Sequence, residues 1–362
     1  MKAIVDSQQL AKELKKAAPA IKKTVTLPIL TSVKLSFGEK KLTIQATDIE
    51  TTIKLTMDCE CKKPFEILLE FAELFDLCSK LYCPLTFDAS GDKILIISDD
   101  SKHKFAKMYD EKNFPPLPDE EFLFSIDVNS DFFWSLACAD TCKSQESLNV
   151  RLSSTSVKFQ KDKVIIAGTD AVVAYRNELK IKTGKVAELM VCEKFVQMVK
   201  GFDDAKVYVG EKFIKVETQE IVIASLLVDA KFVDLDVILP TEINYNFKVN
   251  RNEFISKLKV TGIASSITIR TVEVRFLEGT MVKLFSNDID FGKEAETTLR
   301  AEYEVGFESI GINGNQILKL LGLFDSEEVE IAFESPRKAI MIRPAGEPNI
   351  ISLIMPIALT NN

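Results

Sequence analysis

Three short stretches of alternating apolar and polar residues end the same way. Leu42–Asp48 reads LTIQATD, Val164–Asp170 reads VIIAGTD, and Val282–Asp288 reads VKLFSND. Leu42, Val164 and Val282 align, as do Ile44, Ile166 and Leu284, and the three aspartates lie 122 and 118 residues apart. A period of two is that of a half-buried strand. An aspartate at its end starts a turn by hydrogen-bonding its own backbone. One such strand is commonplace. Three at nearly one spacing, together spanning the chain, mark an internal repeat.

The same succession of elements surrounds each copy. In the first repeat, Leu10, Leu14, Ala17 and Ile21 give the inward stripe of a helix over Ser7–Ala18. Strands follow at Val33–Phe37, Leu42–Ala46 and Thr51–Met57. A second helix, Phe71–Leu81, turns Phe71, Leu74, Phe75, Cys78 and Leu81 inward, and strands at Leu85–Ala89, Lys93–Ser98 and Lys102–Met108 close the unit. The second repeat has helices at Asn129–Cys142 and Glu193–Phe202, and the third at Glu253–Ile263 and Asn313–Phe324, each followed by three strands. Every repeat thus reads helix, three strands, helix, three strands, and is itself two half-copies. The strands are too closely spaced for parallel crossovers, so antiparallel pairing is expected. The fold class is α+β, with two helices against one side of the sheet material. The segment FPPLP, Phe114–Pro118, cannot stay in a regular element, and with the Pro240 region it divides the chain into 1–121, 122–243 and 244–362. On the pattern alone, three domains strung like beads remain an alternative to any higher symmetry.

Composition narrows the chemistry. A chain of 362 residues with 46% hydrophobic and 28% charged residues is that of an ordinary globular protein. It has no apolar run of membrane-spanning length. The start MKAIVDSQQL lacks the apolar core of a signal peptide, which points to the cytoplasm. Seven cysteines without a framework fit reduced thiols. The one histidine, His103, excludes most histidine triads and histidine-rich metal sites. Cys138 with Cys142, and Cys59 with Cys61, lack partners at zinc spacing, so no metal is expected, and Cys78 and Cys192 read as core fillers. No glycine-rich phosphate loop is present. Asp48, Asp170 and Asp288 fall one to a repeat, as turn residues rather than a clustered acid pair. Trp134 reads as core, and no cofactor is implied.

The net charge of −8 argues against a nucleic-acid partner when taken as a total. Its distribution argues the other way. Lys12, Lys15 and Lys16 share a face of the first helix, and Lys22 and Lys23 follow it. The second helices carry Lys80, Lys194, Lys200 and Lys319, and the third repeat opens with Lys257 and Lys259. Lysine makes non-directional, salt-sensitive contacts to phosphate. A solvated helix face is the competing explanation, and the middle repeat's first helix, with Asp131 and Asp140 against Lys143, fits the series least.

TLPIL at Thr26–Leu30, TDIE at Thr47–Glu50, FPPLP, SND at Ser286–Asp288, IGIN at Ile310–Asn313 and LIMPIAL at Leu353–Leu359 occur in order along the whole chain. Together they resemble the bacterial DNA polymerase III beta subunits, the sliding clamps. The resemblance implies a non-catalytic protein whose two copies close head to tail into a six-domain ring around duplex DNA, the lysine-bearing helices lining the hole. It implies as partners the replicative polymerase, an ATP-driven clamp loader and other proteins carrying a clamp-binding motif. It places a hydrophobic peptide pocket at Leu152, Thr169, Val172, Ala174, Val233, Ile238, Asn313, Leu353, Ile354, Met355 and Pro356. For ring closure it suggests Phe105 and Lys107 in the first repeat with Ile263, Ala264 and Ile267 in the third. The chain departs from many members in having Ala171, Val172 and Val173 where they have Gly-His-Arg, and Gln316 where a tyrosine is common. A more apolar pocket with altered motif preference is expected. A non-encircling peptide-binding hub and a carboxylate hydrolase are the alternative classes.

Overall fold

The computed structural model describes residues 1–22, 27–107, 109–118, 121–146, 148–240, 242–266, 270–304 and 307–359. They form two compact units, one of Met1–Phe133 with Val191–Leu227, the other of Trp134–Met190 with Val228–Asn362. Six α-helices occur among them: α1 (Ser7–Ala17), α2 (Phe71–Lys80), α3 (Ser130–Cys142), α4 (Glu193–Val199), α5 (Arg251–Thr261) and α6 (Gly314–Leu321).

The first unit holds two antiparallel sheets. The smaller runs Glu60–Cys61, Lys2–Asp6, Pro84–Asp88, Lys93–Ile97 and Lys102–Ala106, so the last strand is an edge. The larger has eight strands. Its middle is the pairing of Ile221–Leu226 with Thr51–Asp58, which joins Phe124–Val128, Ala205–Val209 and Phe213–Glu217 on one side to Lys41–Thr47, Ser32–Phe37 and Phe65–Glu70 on the other. Helix α1 lies on Lys41–Thr47 and Thr51–Asp58 and against α2. It buries Leu10, Leu14 and Ala17, and Asp6 caps it by accepting from the Gln9 N–H at 2.8 Å. Phe37 stacks on Phe65 at 4.7 Å and meets Phe87 at 5.3 Å in the core.

The second unit repeats the plan. In its nine-stranded sheet Val173–Leu179 pairs antiparallel with Ile350–Ile354, joining Ala187–Val191, Thr155–Phe159 and Val164–Thr169 to Ile340–Pro344, Glu328–Phe333, Tyr245–Asn250 and Glu302–Tyr303. A four-stranded sheet runs Lys293–Arg300, Met281–Asp288, Thr271–Leu277 and Ser309–Asn313, with Lys293–Arg300 at its edge. Helix α5 lies on Met281–Asp288 and Lys293–Arg300 and against α6. Ile317, Leu320 and Leu321 of α6 are buried, as is Phe324 beyond it.

Among the described residues the expected six strands per repeat become eight in the second and, with the two-residue strands Glu60–Cys61 and Glu302–Tyr303, nine in the first and third. A strand precedes the first helix of each repeat (Lys2–Asp6, Phe124–Val128, Tyr245–Asn250), and another precedes the second (Phe65–Glu70, Ala187–Val191, Ser309–Asn313). In α2 and α4, though not in α6, the inward set is also narrower than the periodicity predicts. In α2 only Leu74 and Cys78 are buried, while Phe71 and Phe75 stack on each other at 5.7 Å, half-exposed. Trp134 is half-buried, its ring edge-on to Tyr175 at 6.2 Å. Cys192 is only partly buried, preceding α4.

The repeated aspartates act as turn residues. Asp48 Oδ1 accepts from the Thr51 N–H at 2.8 Å, and Asp170 Oδ1 accepts from Val172 and Val173 at 2.9 and 2.7 Å. The preceding threonines add a second pair of bonds. Thr47 accepts from the Ile49 N–H and donates to the Thr51 carbonyl, and Thr169 does the same with Ala171 and Val173. Asp288 accepts more weakly, from Phe291 at 3.3 Å. The first two turns force a side chain into left-handed backbone, at Ile49 with φ 81° and Ala171 with φ 74°. Only glycine occupies that region without steric cost. Ala171→Gly should therefore stabilise the chain by about 1 kcal/mol, less what the freer unfolded chain takes back. A denaturant midpoint that falls instead would show that the alanine methyl packs usefully.

Candidate functional site

The lysines differ once their neighbours are known. Lys16 is held by Glu13 at 2.7 Å and Lys80 by Asp76 at 2.6 Å, each within its own helix. Such surface pairs contribute at most about 1 kcal/mol and exchange readily for another anion. Lys194 is different. From α4 it closes on the Oδ2 of Asp48, whose side chain is only 5% exposed, and so ties helix to turn. Lys12, Lys15, Lys22 and Lys200 are exposed, Lys257 and Lys319 half-buried, and among the described residues none of these six has a carboxylate partner. Lys23 lies outside the described residues. The first unit's free lysines follow α1 and the end of α4, and could contact an anionic surface loosely.

The residues expected to receive a peptide all belong to the second unit. The register sets Ala174 opposite Leu353, and the Met355 N–H donates to the Val172 carbonyl at 2.9 Å. Ala174 and Leu353 form an apolar cluster with Ala167, Leu235, Ala332, Ala339 and Met341, against which Phe232, Val233, Leu239 and Ile351 pack. The floor is thus covered in part by the chain's own 232–239 segment. What remains open is Val172, Ile238 and Met355, exposed by 42, 44 and 39%. Three apolar side chains exposed to this degree have surface to lose to a ligand.

Other expected members do different work. Thr169 is buried and spends its hydroxyl in the turn. Ile354 is fully buried; as the neighbour of Leu353 it faces the opposite side of the sheet. Asn313 caps α6, accepting from the Asn315 and Gln316 N–H groups at 3.0 and 3.1 Å. Leu152 is half-buried, its carbonyl accepting from Ser144 at 2.7 Å. Pro356 lines a second hollow of about 460 Å³ with Gly311, Arg337 and Leu359, where Ile357 bridges back to Gly311. Of the departures from the common pattern, Val172 is exposed, Val173 buried and Gln316 half-buried.

One feature escaped sequence reasoning. The stretch Phe232–Leu239 is no plain linker but a strap across the sheet. Beneath it lies a cavity of about 220 Å³ lined by Ser156, Lys158, Ile165, Arg176 and Glu188 among others. Arg176 there binds Glu178 at 2.5 Å and Asp236 of the strap at 3.5 Å. Six apolar residues in eight, Phe232, Val233, Leu235, Val237, Ile238 and Leu239, just before the expected Pro240 linker were the available signal.

At the expected ring contact, Phe105 is half-buried on the edge strand Lys102–Ala106, and Lys107 beyond it donates to the Gly91 carbonyl at 2.9 Å. Ile263 is 76% exposed beside the other edge strand, Lys293–Arg300, whereas Ala264 is buried within the chain. Ile267 lies outside the described residues.

Burial pushes the Cys78 and Cys142 thiols up to about 12 and Cys59 to about 11, which leaves them inert at neutral pH. Among the described residues no three His, Cys, Asp or Glu side chains gather as a metal site requires. No helix there is long and apolar enough to cross a membrane.

Residues 1–118 match the model of the DNA polymerase III beta subunit N-terminal domain, and residues 236–358 match that of the C-terminal domain. The beta sliding clamp of Pseudomonas putida is 22% identical over 368 residues, covering 98% of this chain and 99% of the relative. That of Bacillus subtilis is 18% identical, covering 99% of each. Among solved structures, a Pseudomonas aeruginosa sliding clamp superposes with a TM-score of 0.92 at 20% identity, and the beta subunit of Thermotoga maritima with 0.87 at 20%. Each alignment covers 99% of this chain and 100% of the other. Both ends of the chain match domains of one subunit and its whole length aligns with clamps, so the chain belongs to the DNA polymerase III beta subunit family.

Proposed function

We propose that this protein is a DNA sliding clamp. Three repeats, 1–121, 122–243 and 244–362, make half a ring, and two copies joined head to tail encircle duplex DNA. Lys12, Lys15, Lys22, Lys200, Lys257 and Lys319 supply weak, sequence-independent contacts to phosphate. Retention by enclosure needs little affinity, which reconciles a DNA partner with a net charge of −8. The protein works in the cytoplasm without catalysis of its own. A clamp loader opens it, and it tethers the replicative polymerase and other motif-bearing proteins.

One observation carries this reading. Sheets are continued across a repeat boundary twice within the chain, by Ile221–Leu226 on Thr51–Asp58 and by Ile350–Ile354 on Val173–Leu179, and one strand of each kind is left as a free edge. The test is retention on nicked circular DNA after loading. Protein should stay with the circle through gel filtration at moderate salt and leave when a single cut linearises it. Equal retention on both forms would mean ordinary binding.

The tether is the open face at Val172, Ile238 and Met355. A clamp-binding peptide that buries one apolar side chain against Met355 gains about 1.5–3 kcal/mol from it. Met355→Ala should therefore weaken the peptide about tenfold in fluorescence anisotropy. Unchanged affinity would move the site elsewhere.

A further inference from the structure

The strap over the second unit's sheet is fastened at few points. Its approach is tied to the strand Ala187–Val191, where the Val228 N–H donates to the Met190 carbonyl at 2.9 Å. Of the eight residues Phe232–Leu239 only Leu235 is buried, seated in the apolar cluster with Ala167, Ala174 and Leu353. At that anchor the chain folds into a single turn, Leu235–Val237. Asp234 Oδ1 opens the turn by accepting from the Asp236 N–H at 3.0 Å, and the Ile238 N–H closes it on the Leu235 carbonyl at 3.1 Å. Asp236 and Ile238 thus belong to one small hydrogen-bonded body. The cavity of about 220 Å³ beneath the strap leaves that body room to shift.

What holds the turn from the side is Arg176. Its side chain, 13% exposed, reaches from Val173–Leu179 to Asp236, 63% exposed, at 3.5 Å. Glu178 on the same strand binds Arg176 at 2.5 Å and is itself held by Lys163 at 2.7 Å. The sheet therefore orients the guanidinium, which has donors to spare for the strap. The first unit fastens its own linker at the matching place by other means. Gln45 and Ala167 each lie three residues before the repeated aspartate, and they face Lys54 and Arg176. Gln45 Nε2 donates to the Pro115 carbonyl at 2.9 Å. Ala167 has no side-chain donor, and in the second unit the residue facing it makes the contact instead. A neutral hydrogen bond in one repeat corresponds to an ion pair in the other.

We infer that Arg176 is a positioning residue for the peptide face: through Asp236 it fixes the turn that carries Ile238, and so sets where Ile238 stands relative to Val172 and Met355. The inference rests on the peptide face proposed above and adds to it a residue that a bound peptide does not touch. A face held in its binding geometry before the ligand arrives binds more tightly than one that must first be ordered. An ion pair with one partner this exposed is worth at most about fivefold in an equilibrium. It is also screened by salt. The grip of the face on an apolar peptide that carries no charge therefore has a salt-sensitive part, and that part belongs to the strap.

The test titrates an uncharged clamp-binding peptide, capped at both ends, into the full chain by calorimetry. Sodium chloride is set at about 50 and about 500 mM, between which the screening length falls severalfold, and thermal melts establish folding. Asp236→Asn should weaken binding about threefold at the lower salt, leave the melt unchanged, and converge with wild type at the higher salt. Asp236→Glu keeps the charge and should restore the affinity. Met355→Ala removes a contact rather than a position, so it should weaken the peptide alike at both salts. If Met355→Ala weakens binding but Asp236→Asn does not, or if the Asp236→Asn deficit persists undiminished at the higher salt, the positioning role is wrong although the peptide face stands. If Met355→Ala too leaves the affinity unchanged, face and positioning residue fall together.

Discussion

Gly168→Ala is expected to be among the most damaging single changes in this protein. A Cβ on Gly168 would sit 2.7 Å from the carbonyl carbon of Ala139 and closer still to its oxygen. Both contacts are backbone of α3, so no side chain can swing aside, and helix and sheet must separate. Overpacking of a close-packed interior costs about 1–3 kcal/mol, and a helix displaced as a body belongs at the upper end. We expect a loss of about 3 kcal/mol in urea denaturation. Gly91→Ala, where a Cβ meets nothing within 4 Å, should be nearly neutral. The equivalent positions in the other repeats carry side chains, Ala46 and Ser286. The close helix approach is thus peculiar to the second repeat, and a Gly168→Ala chain of unchanged stability would show that α3 has room to move.

Lys194→Met should be the next most costly. It strands the carboxylate of Asp48, 4% exposed as a residue, against α4. Removing one partner of a fully buried ion pair costs about 3–5 kcal/mol. Lys194 is one-third exposed and Asp48 keeps its bond from Thr51, so about 2 kcal/mol is the better expectation. Asp48→Asn preserves the turn-forming oxygen and removes the charge. In the Lys194→Met background it should recover most of the loss, and a double-mutant cycle isolates the coupling. Strict additivity would mean that the pair contributes nothing.

These two residues also mark where the sequence was legible and where it was not. The repeat and its turns could be read directly, because a two-residue period ending in Asp is a local signal with a local cause. The strands before each helix could not. Lys2–Asp6 alternates as a strand should, but Asp6 is also the cap of α1, so strand and helix run together without punctuation. The lysine clusters were visible as composition, yet the bond from Lys194 to Asp48 spans 146 residues and no spacing rule reports it. The face expected to receive a peptide was half legible. Leu353 and Ile354 are both apolar and adjacent, and only the register of Ile350–Ile354 on Val173–Leu179 decides that Leu353 joins the apolar cluster. Val233 and Ile238 were placed in the pocket by resemblance, but the linker expected around Pro240 hid the strap that Phe232, Leu235 and Leu239 help to form.

The pairing of Val173–Leu179 with Ile350–Ile354 has a consequence for synthesis. The two strands are made some 170 residues apart, so an emerging chain exposes the first long before the second exists. At ribosomal rates the delay is on the order of ten seconds or more. Over that interval the Val173–Leu179 edge must be shielded or left idle, and Val172 lacks its neighbour Met355. A half-made chain therefore lacks the open apolar face of Val172, Ile238 and Met355, and only one translated past Met355 presents all three.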